Sequence, residues 1–408
     1  MPLKYYEFFA GCGLVRQGLR ADWRCIWAND IEPKKAEVYA LNFGRDGQLP
    51  DDFHLGDVAN VSAADLPPGA DMAWASFPCQ DLSLAGWRRG VTARRSGTFW
   101  AFWRIMRDLY DTGDRPPVIV IENVAGLLYG DNLLGLAEAL AALGMQFGPL
   151  LIDARRFVAQ SRPRVFVVAV DADVDCTEFL EPSPKERPWF TKPILDAEAA
   201  LPACLAPLWR YWHLPIPSQA PTPLSEIIRD SPSGVPWHTH QETLRLLGLM
   251  TECNRAKVRR AQDAGGRAVG LLYKRTRQGR QRAEVRFDGV AGCLRTPGGG
   301  SSRQTVVIVN EGTVRSRLLA PSEAAALMGA SEFRLPSGYN DAYRAMGDGV
   351  VAPVVSWLSE HLLAPLASAS LAASEGIRGG PDALQRPHMA SNRKTAERRA
   401  AQWKALHR

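Results

Sequence analysis

Short apolar runs alternate with amphipathic stretches up to Asp171. Lys4 to Phe9 reads as a strand, Ala10-Gly11-Cys12-Gly13 breaks it, and Leu14 to Leu19 starts a helix. Trp23 to Ala28 predicts a second strand with Asn29-Asp30 at its end, and Phe53 to Gly56 leads to Asp57 at another strand end. Ala70 to Ala75 is a short apolar strand that runs into Ser76-Phe77-Pro78-Cys79-Gln80. Phe99 to Tyr110 has the spacing of an amphipathic helix. Val118 to Ile121 is apolar and β-branched throughout, as in a parallel strand covered on both faces, and it exits into Glu122-Asn123-Val124. Gly135 to Leu143 predicts a helix stopped by Gly144, and Phe147 to Asp153 and Val165 to Val170 predict two more strands. Strand, glycine turn, helix is how a nucleotide-binding βαβ unit opens, and open α/β sheets place their chemistry at the carboxyl ends of strands.

From Asp171 the pattern dissolves. Prolines recur from Pro182 to Pro223, which favours extended surface loops over packed helices. Thr239 to Ala264 predicts one long helix. Arg275 to Arg282 alternates basic and polar residues, and the glycine-rich stretch from Pro297 to Arg303 reads as a flexible loop. Periodicity returns with a helix inside Arg317 to Gly329, Pro321 near its start and Gly329 past its end, and with a last helix from Pro353 to Leu363. Beyond Leu366 small residues and basic charges predict a poorly ordered tail.

The 408 residues suffice for two domains, and 46% hydrophobic with 23% charged residues is ordinary globular composition. No run reads as apolar enough to span a bilayer, and the N-terminus lacks a signal-peptide pattern, so a cytoplasmic chain is expected. Seven cysteines, an odd number without a CxxC pair, predict reduced thiols and neither a disulfide framework nor a metal site. Charge is unevenly spread. Arg255 to Arg303 holds 13 Lys and Arg against Asp263, Glu284 and Asp288, a surplus of ten, whereas the whole chain is only +6. One basic segment on an otherwise slightly acidic chain points to a polyanionic partner or to a solvated basic face.

Several residues carry candidate chemistry. Cys79, after a strand and beside Pro78, is either a packed thiol or a nucleophile. Glu122 at the exit of a buried strand needs a partner or a task. Arg162 and Arg164, two apart on an extended strand, project to one side and offer donors to an anion or a carbonyl, or bridge surface acids. Gly11 and Gly13 let the backbone approach a ligand, and Asp30 sits where ribose hydroxyls are gripped, or is a solvated loop aspartate. Arg295, Thr296 and Arg303 flank a loop suited to phosphate contact, or to a plain linker.

Taken in order, these pieces resemble the DNA (cytosine-5)-methyltransferase family. The resemblance rests on Phe9-Ala10-Gly11-Cys12-Gly13, Pro78-Cys79-Gln80, Glu122-Asn123-Val124, Gln160-Ser161-Arg162-Pro163-Arg164, Arg317 to Gly329 and Gly347 to Val350. It implies a doubly wound, mostly parallel Rossmann-like sheet with an inserted target-recognition domain. The expected boundaries are 1–171 for the catalytic and cofactor-binding part, 172–313 for recognition, 314–366 for a return to the catalytic part, and 367–408 for the basic tail. It implies S-adenosyl-L-methionine as cofactor, held by Phe9, Gly11, Cys12, Gly13, Asp30 on the ribose, Ile31 on the adenine, Asp57 on its amino group, Val58, Pro78, Asp348 and Gly349. Cys79 would be the nucleophile, Glu122 would hold the cytosine N3/N4 edge, and Arg164 or Arg162 would donate to O2 or a phosphate. Gln80, Ser83, Arg295, Thr296 and Arg303 would contact double-stranded DNA. Gly347-Asp348-Gly349 departs from the usual Gly-Asn-Ala or Gly-Asn-Ser; an aspartate there either opposes the cofactor carboxylate or binds its ammonium. A monomer acting beside a cognate restriction endonuclease is the expected setting. A tRNA cytosine-5 methyltransferase and a catalytically silent DNA-binding homologue are the alternatives.

Overall fold

The computed structural model describes residues 1–19, 22–78, 97–277, 279–296 and 303–378. Seven strands make one sheet: β1 (Leu3–Phe8), β2 (Trp23–Asp30), β3 (Phe53–Leu55), β4 (Met72–Ala75), β5 (Val118–Val124), β6 (Met145–Asp153) and β7 (Pro163–Asp171). Their order is β3-β2-β1-β4-β5-β7-β6. The first five strands pair in parallel, and β7 runs antiparallel to both β5 and β6. The chain builds outward from β1 through β2 and β3, then returns to the other side of β1 with β4. That reversal leaves a crevice at the carboxyl ends of β1 and β4, where ligands of open α/β sheets bind. The expected doubly wound, mostly parallel sheet is present.

Local chemistry explains the connections. Helix α1 (Leu14–Leu19) follows the glycine turn. Helix α2 (Pro33–Phe43) has Pro at its first position, where a missing N–H costs nothing, and a Glu32 cap that accepts from Lys34 N. Helix α3 (Thr98–Thr112) buries Phe99, Trp100, Phe102, Ile105, Met106 and Leu109 and stops at Gly113 in the left-handed region, φ 80°. Helix α4 (Asn132–Ala142) precedes β6.

A second, antiparallel sheet contains β8 (Arg267–Arg277), β9 (Arg280–Arg286), β10 (Thr305–Asn310) and β11 (Thr313–Leu318), in the order β11-β10-β8-β9. One face packs Leu272, Ala283, Val285 and Val307 with Met250 and Val258 in a core of its own, while Leu271, Val306 and Ile308 of the other face join the main core. Alternation along the strands separates these two sets.

Four expectations change. The long helix from Thr239 to Ala264 is two helices, His240–Gly248 and Glu252–Asp263, because buried Met250 bridges to Ala283 and Thr251 takes an extended backbone to cap the second helix. The proline-rich stretch is not only surface loop. Trp189, Trp209 and Trp212 are buried in the main core, and Trp212 Nε1 donates to Gly148 O and Val168 O at 3.2 and 3.1 Å. Aromatic anchors between the prolines supply the packing that weak periodicity hides. The last helix, Ala352–Leu358, continues through a π-helical turn, Ser359–Leu363, into a helix from Ala364 to Arg378 that buries Leu366, Ala367 and Ser370. The region after Leu366 therefore starts as packed helix. Finally, Tyr339–Ala373 is long and apolar enough by length and composition to cross a membrane, contrary to the sequence reading, but 67% of its most apolar window is buried inside the protein. Leu358, Leu362, Leu363 and Leu366 are core residues, so the apolar stretch is used up in packing.

Candidate active site

The turn after β1 is built to approach a ligand. Phe9, Gly11 and Gly13 have φ of 60°, 59° and 88°, all in the left-handed region. A Cβ on Gly13 would lie 2.3 Å from the Phe43 ring, so only glycine fits there. Asp30 at the end of β2 braces the turn: Oδ2 accepts from Gly11 N and Oδ1 from Glu32 N, both at 2.8 Å. Next to it Ile31 is 63% exposed, an apolar face at a strand end. Asn29 Nδ2 donates to His54 O and Gly56 O at 2.8 and 2.9 Å, fixing the end of β3 beside that of β2. Asp57 follows, exposed, with Oδ1 accepting from Ala59 N at 2.9 Å, and Val58 is buried under it. Cys12 points away from solvent. Its Sγ donates to Ala345 O at 3.2 Å and burial pushes the thiol up to about 12, so it packs the turn against helix Tyr339–Asp348 as a neutral group.

The second half of the crevice is made by β4, β5 and β7. Phe77, just past β4, is buried, and its carbonyl accepts from Asn123 Nδ2 at 3.0 Å. Pro78 follows, exposed. Cys79, Gln80 and Ser83 lie outside the described residues. Glu122, 8% exposed, meets Arg164 across the β5–β7 pair, Oε1 to Nε at 3.2 Å. Antiparallel register sets this: Glu122 faces Phe166 and Val124 faces Arg164, so the two side chains meet on a diagonal. Asn123 was not singled out by sequence reasoning, although its place inside Glu122-Asn123-Val124 was a signal.

Arg162 differs from its neighbour. Nη1 donates to Leu294 O at 2.9 Å and Nη2 to Gly347 O and Gly349 O at 2.9 and 2.7 Å, with Cys293 Sγ 3.2 Å from Nη1. It is fully covered, and burial, with the charge of Arg164 next, pulls its guanidinium down to about 10. The expectation that Arg162 offers donors to a substrate is corrected: its Nη groups are spent on three backbone carbonyls and the Cys293 sulfur, its Nε is buried without a partner, and it clamps the segment 293–294 to the 347–349 turn. Gln160 works beside it, with Nε2 on Leu327 O at 2.7 Å and Oε1 accepting from Leu294 N at 2.9 Å.

Asp348 sits at the same junction, accepting from Thr296 Oγ1 at 2.9 Å, with Lys35 Nζ 3.3 Å from Oδ2. The glycines around it are required by close approach. A Cβ on Gly347 would lie 2.7 Å from the Arg295 backbone, and one on Gly349 2.3 Å from Leu14 Cδ1. Arg295 is exposed, and the Arg303 guanidinium lies over the Tyr339 ring at 5.9 Å. The structure thus gathers Phe9 to Gly13, Asp30, Ile31, Asp348 and Gly349 around the β1 turn, and Glu122 with Arg164 beside Phe77-Pro78. Thr296 meets the first group through Asp348. Among the described residues no group of three or more His, Cys, Asp or Glu could hold a metal ion.

One residue escaped the sequence reading altogether. Glu7, on β1, is fully buried and neither carboxylate oxygen has a hydrogen-bond partner. Burial pushes its carboxyl up to about 8.

The family model for C-5 cytosine-specific DNA methylase matches residues 3–364, a span that contains both sheets. The chain belongs to this family. A Type II methyltransferase from Moraxella, M.MspI, is 26% identical over 365 residues, covering 88% of this chain and 70% of its own. M.HhaI from Haemophilus parahaemolyticus is 25% identical over 366 residues, covering 88% of this chain and 94% of its own. Among solved structures, the Dnmt2 methyltransferase of S. pombe superposes with a TM-score of 0.54 at 15% identity, over 90% of this chain and 99% of that one. A putative DNA modification methyltransferase of an E. coli prophage gives 0.52 at 17%, over 88% and 98%. These likenesses are of fold, and the family membership makes the chain a cytosine-C5 DNA methyltransferase.

Proposed function

We propose that the protein transfers a methyl group from S-adenosyl-L-methionine to C5 of a cytosine flipped out of a specific duplex DNA sequence, through a covalent bond between Cys79 and C6. The observation that carries this reading is the Asn123–Phe77 hydrogen bond. It ties the strand leading directly into Cys79 to the strand bearing Glu122, which itself is paired with Arg164.

The residues around the β1 turn fit the cofactor. Exposed Ile31 suits an adenine face, Asp30 and Asp57 at adjacent strand ends suit hydroxyl and amino donors, and the left-handed backbone of Phe9, Gly11 and Gly13 allows close approach. When bound, S-adenosyl-L-methionine supplies an electrophilic methyl group on a sulfonium. Cytosine C5 is a poor nucleophile within the aromatic ring. Attack of the Cys79 thiolate on C6 breaks that aromaticity and makes C5 enamine-like. Glu122 holds the N3/N4 edge and favours protonation at N3, which offsets the negative charge created by attack. Arg164 holds the Glu122 carboxylate in place and offers its remaining donors to O2 or a flanking phosphate. Loss of the C5 proton to solvent water, departure of the proton from N3 and β-elimination then release Cys79 as the thiolate and neutral 5-methylcytosine.

The target base is inaccessible inside a helix, so flipping costs a few kcal/mol of stacking and pairing. Arg295, Thr296 and Arg303 are proposed to offset this through DNA contacts, with Gln80 and Ser83 beside the base. The setting is bacterial or phage DNA in the cytoplasm, alongside a cognate restriction endonuclease, in keeping with relatives named Type II methyltransferases.

The test is transfer of labelled methyl from S-adenosyl-L-methionine to a broad pool of duplex DNA and, in parallel, to tRNA. Label on C5 of cytosines in one duplex sequence, lost in Cys79→Ser while DNA binding persists, is the expected result. Label on tRNA alone supports the RNA reading, and no label on any substrate supports the silent homologue.

A further inference from the structure

The second sheet ends in a two-stranded ribbon. β10 begins at Thr305, opposite Leu272, so from Tyr273 to Arg277 β8 is flanked by β9 alone among the described strands. That is roughly 15 Å of projecting hairpin. Past β9 the chain returns to the β6–β7 corner, where Ala291 N donates to Ala159 O at 2.7 Å and Ala291 O accepts from Ser161 N at 2.9 Å. The same corner opens β7, whose Arg164 meets Glu122. The ribbon therefore springs from the edge of the molecule that carries the catalytic pair.

Its two faces differ. On one, buried Ala283 packs with Met250. The other carries Tyr273 opposite Glu284, and Arg275 opposite Arg282. Arg275 is held by both residues of the neighbouring row. Its Cζ lies 4.6 Å from the centroid of the Tyr273 ring, and its Nε 4.0 Å from Glu284 Oε2. The Tyr273 hydroxyl donates to that same oxygen at 2.6 Å, which fixes ring and carboxylate to each other. Arg275 is nevertheless 46% exposed, and among the described residues neither of its Nη groups has a hydrogen-bond acceptor. Ion pairs this exposed contribute little to stability, and the facing charges of Arg275 and Arg282 cost some, so fold maintenance does not explain the cluster. A guanidinium resting on an aromatic ring has lost rotamer freedom before any ligand arrives, which favours bidentate recognition. A major groove admits a two-stranded ribbon, and guanine presents two acceptors there, O6 and N7.

We propose that the β8–β9 ribbon enters the major groove of the target duplex and that Arg275 donates to O6 and N7 of one guanine, which makes it a specificity-determining residue. Tyr273 and Glu284 are positioning residues for Arg275, and Arg282 meets a phosphate. This rests on the duplex-DNA reading above and deepens it.

The test measures kcat/KM for methyl transfer to a library of duplexes in which each position around the methylated cytosine is varied in turn. Wild type is expected to require guanine at one or more fixed positions, by about tenfold or more over the other bases, the worth of one bidentate contact. Arg275→Ala is expected to bring the four bases close to equality at one of these positions and to leave the preference elsewhere unchanged. Tyr273→Leu is expected to lose part of the same preference, at the same position only. Arg282→Gln is expected to weaken all duplexes alike and to lower the salt dependence. Full wild-type preference at every position in Arg275→Ala overturns the assignment. So does a uniform loss on all duplexes, which would make Arg275 a phosphate contact, and so does a wild type without a guanine requirement. Should Arg275→Ala misfold by circular dichroism, Arg275→Gln decides, because its amide matches adenine. Loss of one guanine preference in that variant supports the assignment, and retention overturns it. A wild type that methylates no duplex removes the duplex reading and this assignment with it, whereas an active wild type with unchanged variants removes the assignment alone.

Discussion

At the scale of single residues, the site works by spending polar groups where they cannot be replaced. Glu122 and Arg164 pair with each other, yet each keeps further hydrogen-bonding capacity for a base edge. Glu122→Gln keeps the shape and removes the acid. Methyl transfer is expected to fall by about 10²–10⁴-fold, the usual worth of general acid–base help, with DNA binding by filter retention unchanged. Glu7 poses the opposite case, a buried carboxyl with no partner. Its folded value of about 8 lies above the unfolded one of 4.5, so the native state holds this proton more tightly. The stability from that proton is complete below about pH 4.5 and is lost as pH rises toward 8. Glu7→Gln should flatten the melting temperature across this window and raise it above wild type at pH 8. Equal pH slopes for the two proteins would count against a neutral Glu7.

At the scale of elements, the strands and the glycine turn were legible because their signals are local. A β-branched run such as Val118 to Ile121 reads as a covered strand whatever surrounds it, and Gly11 and Gly13 read as a turn. What sequence hid is what distance creates. Nothing local marks Arg162 as a clamp, since its partners stand at 293–294 and 347–349. Nor does anything local break the helix at Met250, whose bridge to Ala283 exists only once β9 is folded. The alternation from Arg275 to Arg282 was visible, and the β8–β9 hairpin explains it: Arg275 faces Arg282. Like charges directly opposite destabilise a hairpin, so this pattern costs folding energy that a bound polyanion would return. Replacing Arg275, Arg280 and Arg282 by Gln should lower the slope of log affinity for duplex DNA against log salt by about 0.9 for each phosphate that is no longer neutralised. Fluorescence anisotropy over a salt series reads this directly, and an unchanged slope would remove the hairpin from the DNA interface.

At the scale of the whole molecule, a few buried charges hold the second sheet and its flanking segments to the rest of the chain. Arg317 is fully buried, with Nη2 and Nη1 on the two oxygens of Glu323 at 2.6 and 2.8 Å and a further hydrogen bond to Arg229 O. Breaking such a pair from one side costs about 3–5 kcal/mol, because the other charge is left buried and alone. Arg317→Met is therefore expected to lower the denaturant midpoint markedly, whereas the joint change with Glu323→Leu recovers much of the loss. The comparison is read by urea unfolding followed by circular dichroism. Through Arg162 and Gln160, the segment around Cys293 and Leu294 is held against the turn that carries Asp348, so residues 293–296 and the 347–349 turn meet at one junction. The central claim is chemical: the sulfur at position 79 bonds to C6 of a cytosine turned out of its helix. Incubating the protein with S-adenosyl-L-methionine and duplexes containing 5-fluorocytosine blocks release after methyl transfer, and peptide mass spectrometry then locates the adduct. A stable adduct on Cys79 that needs the methyl donor is the predicted result; an adduct on another residue, or none in a pool containing the methylated sequence, would contradict it.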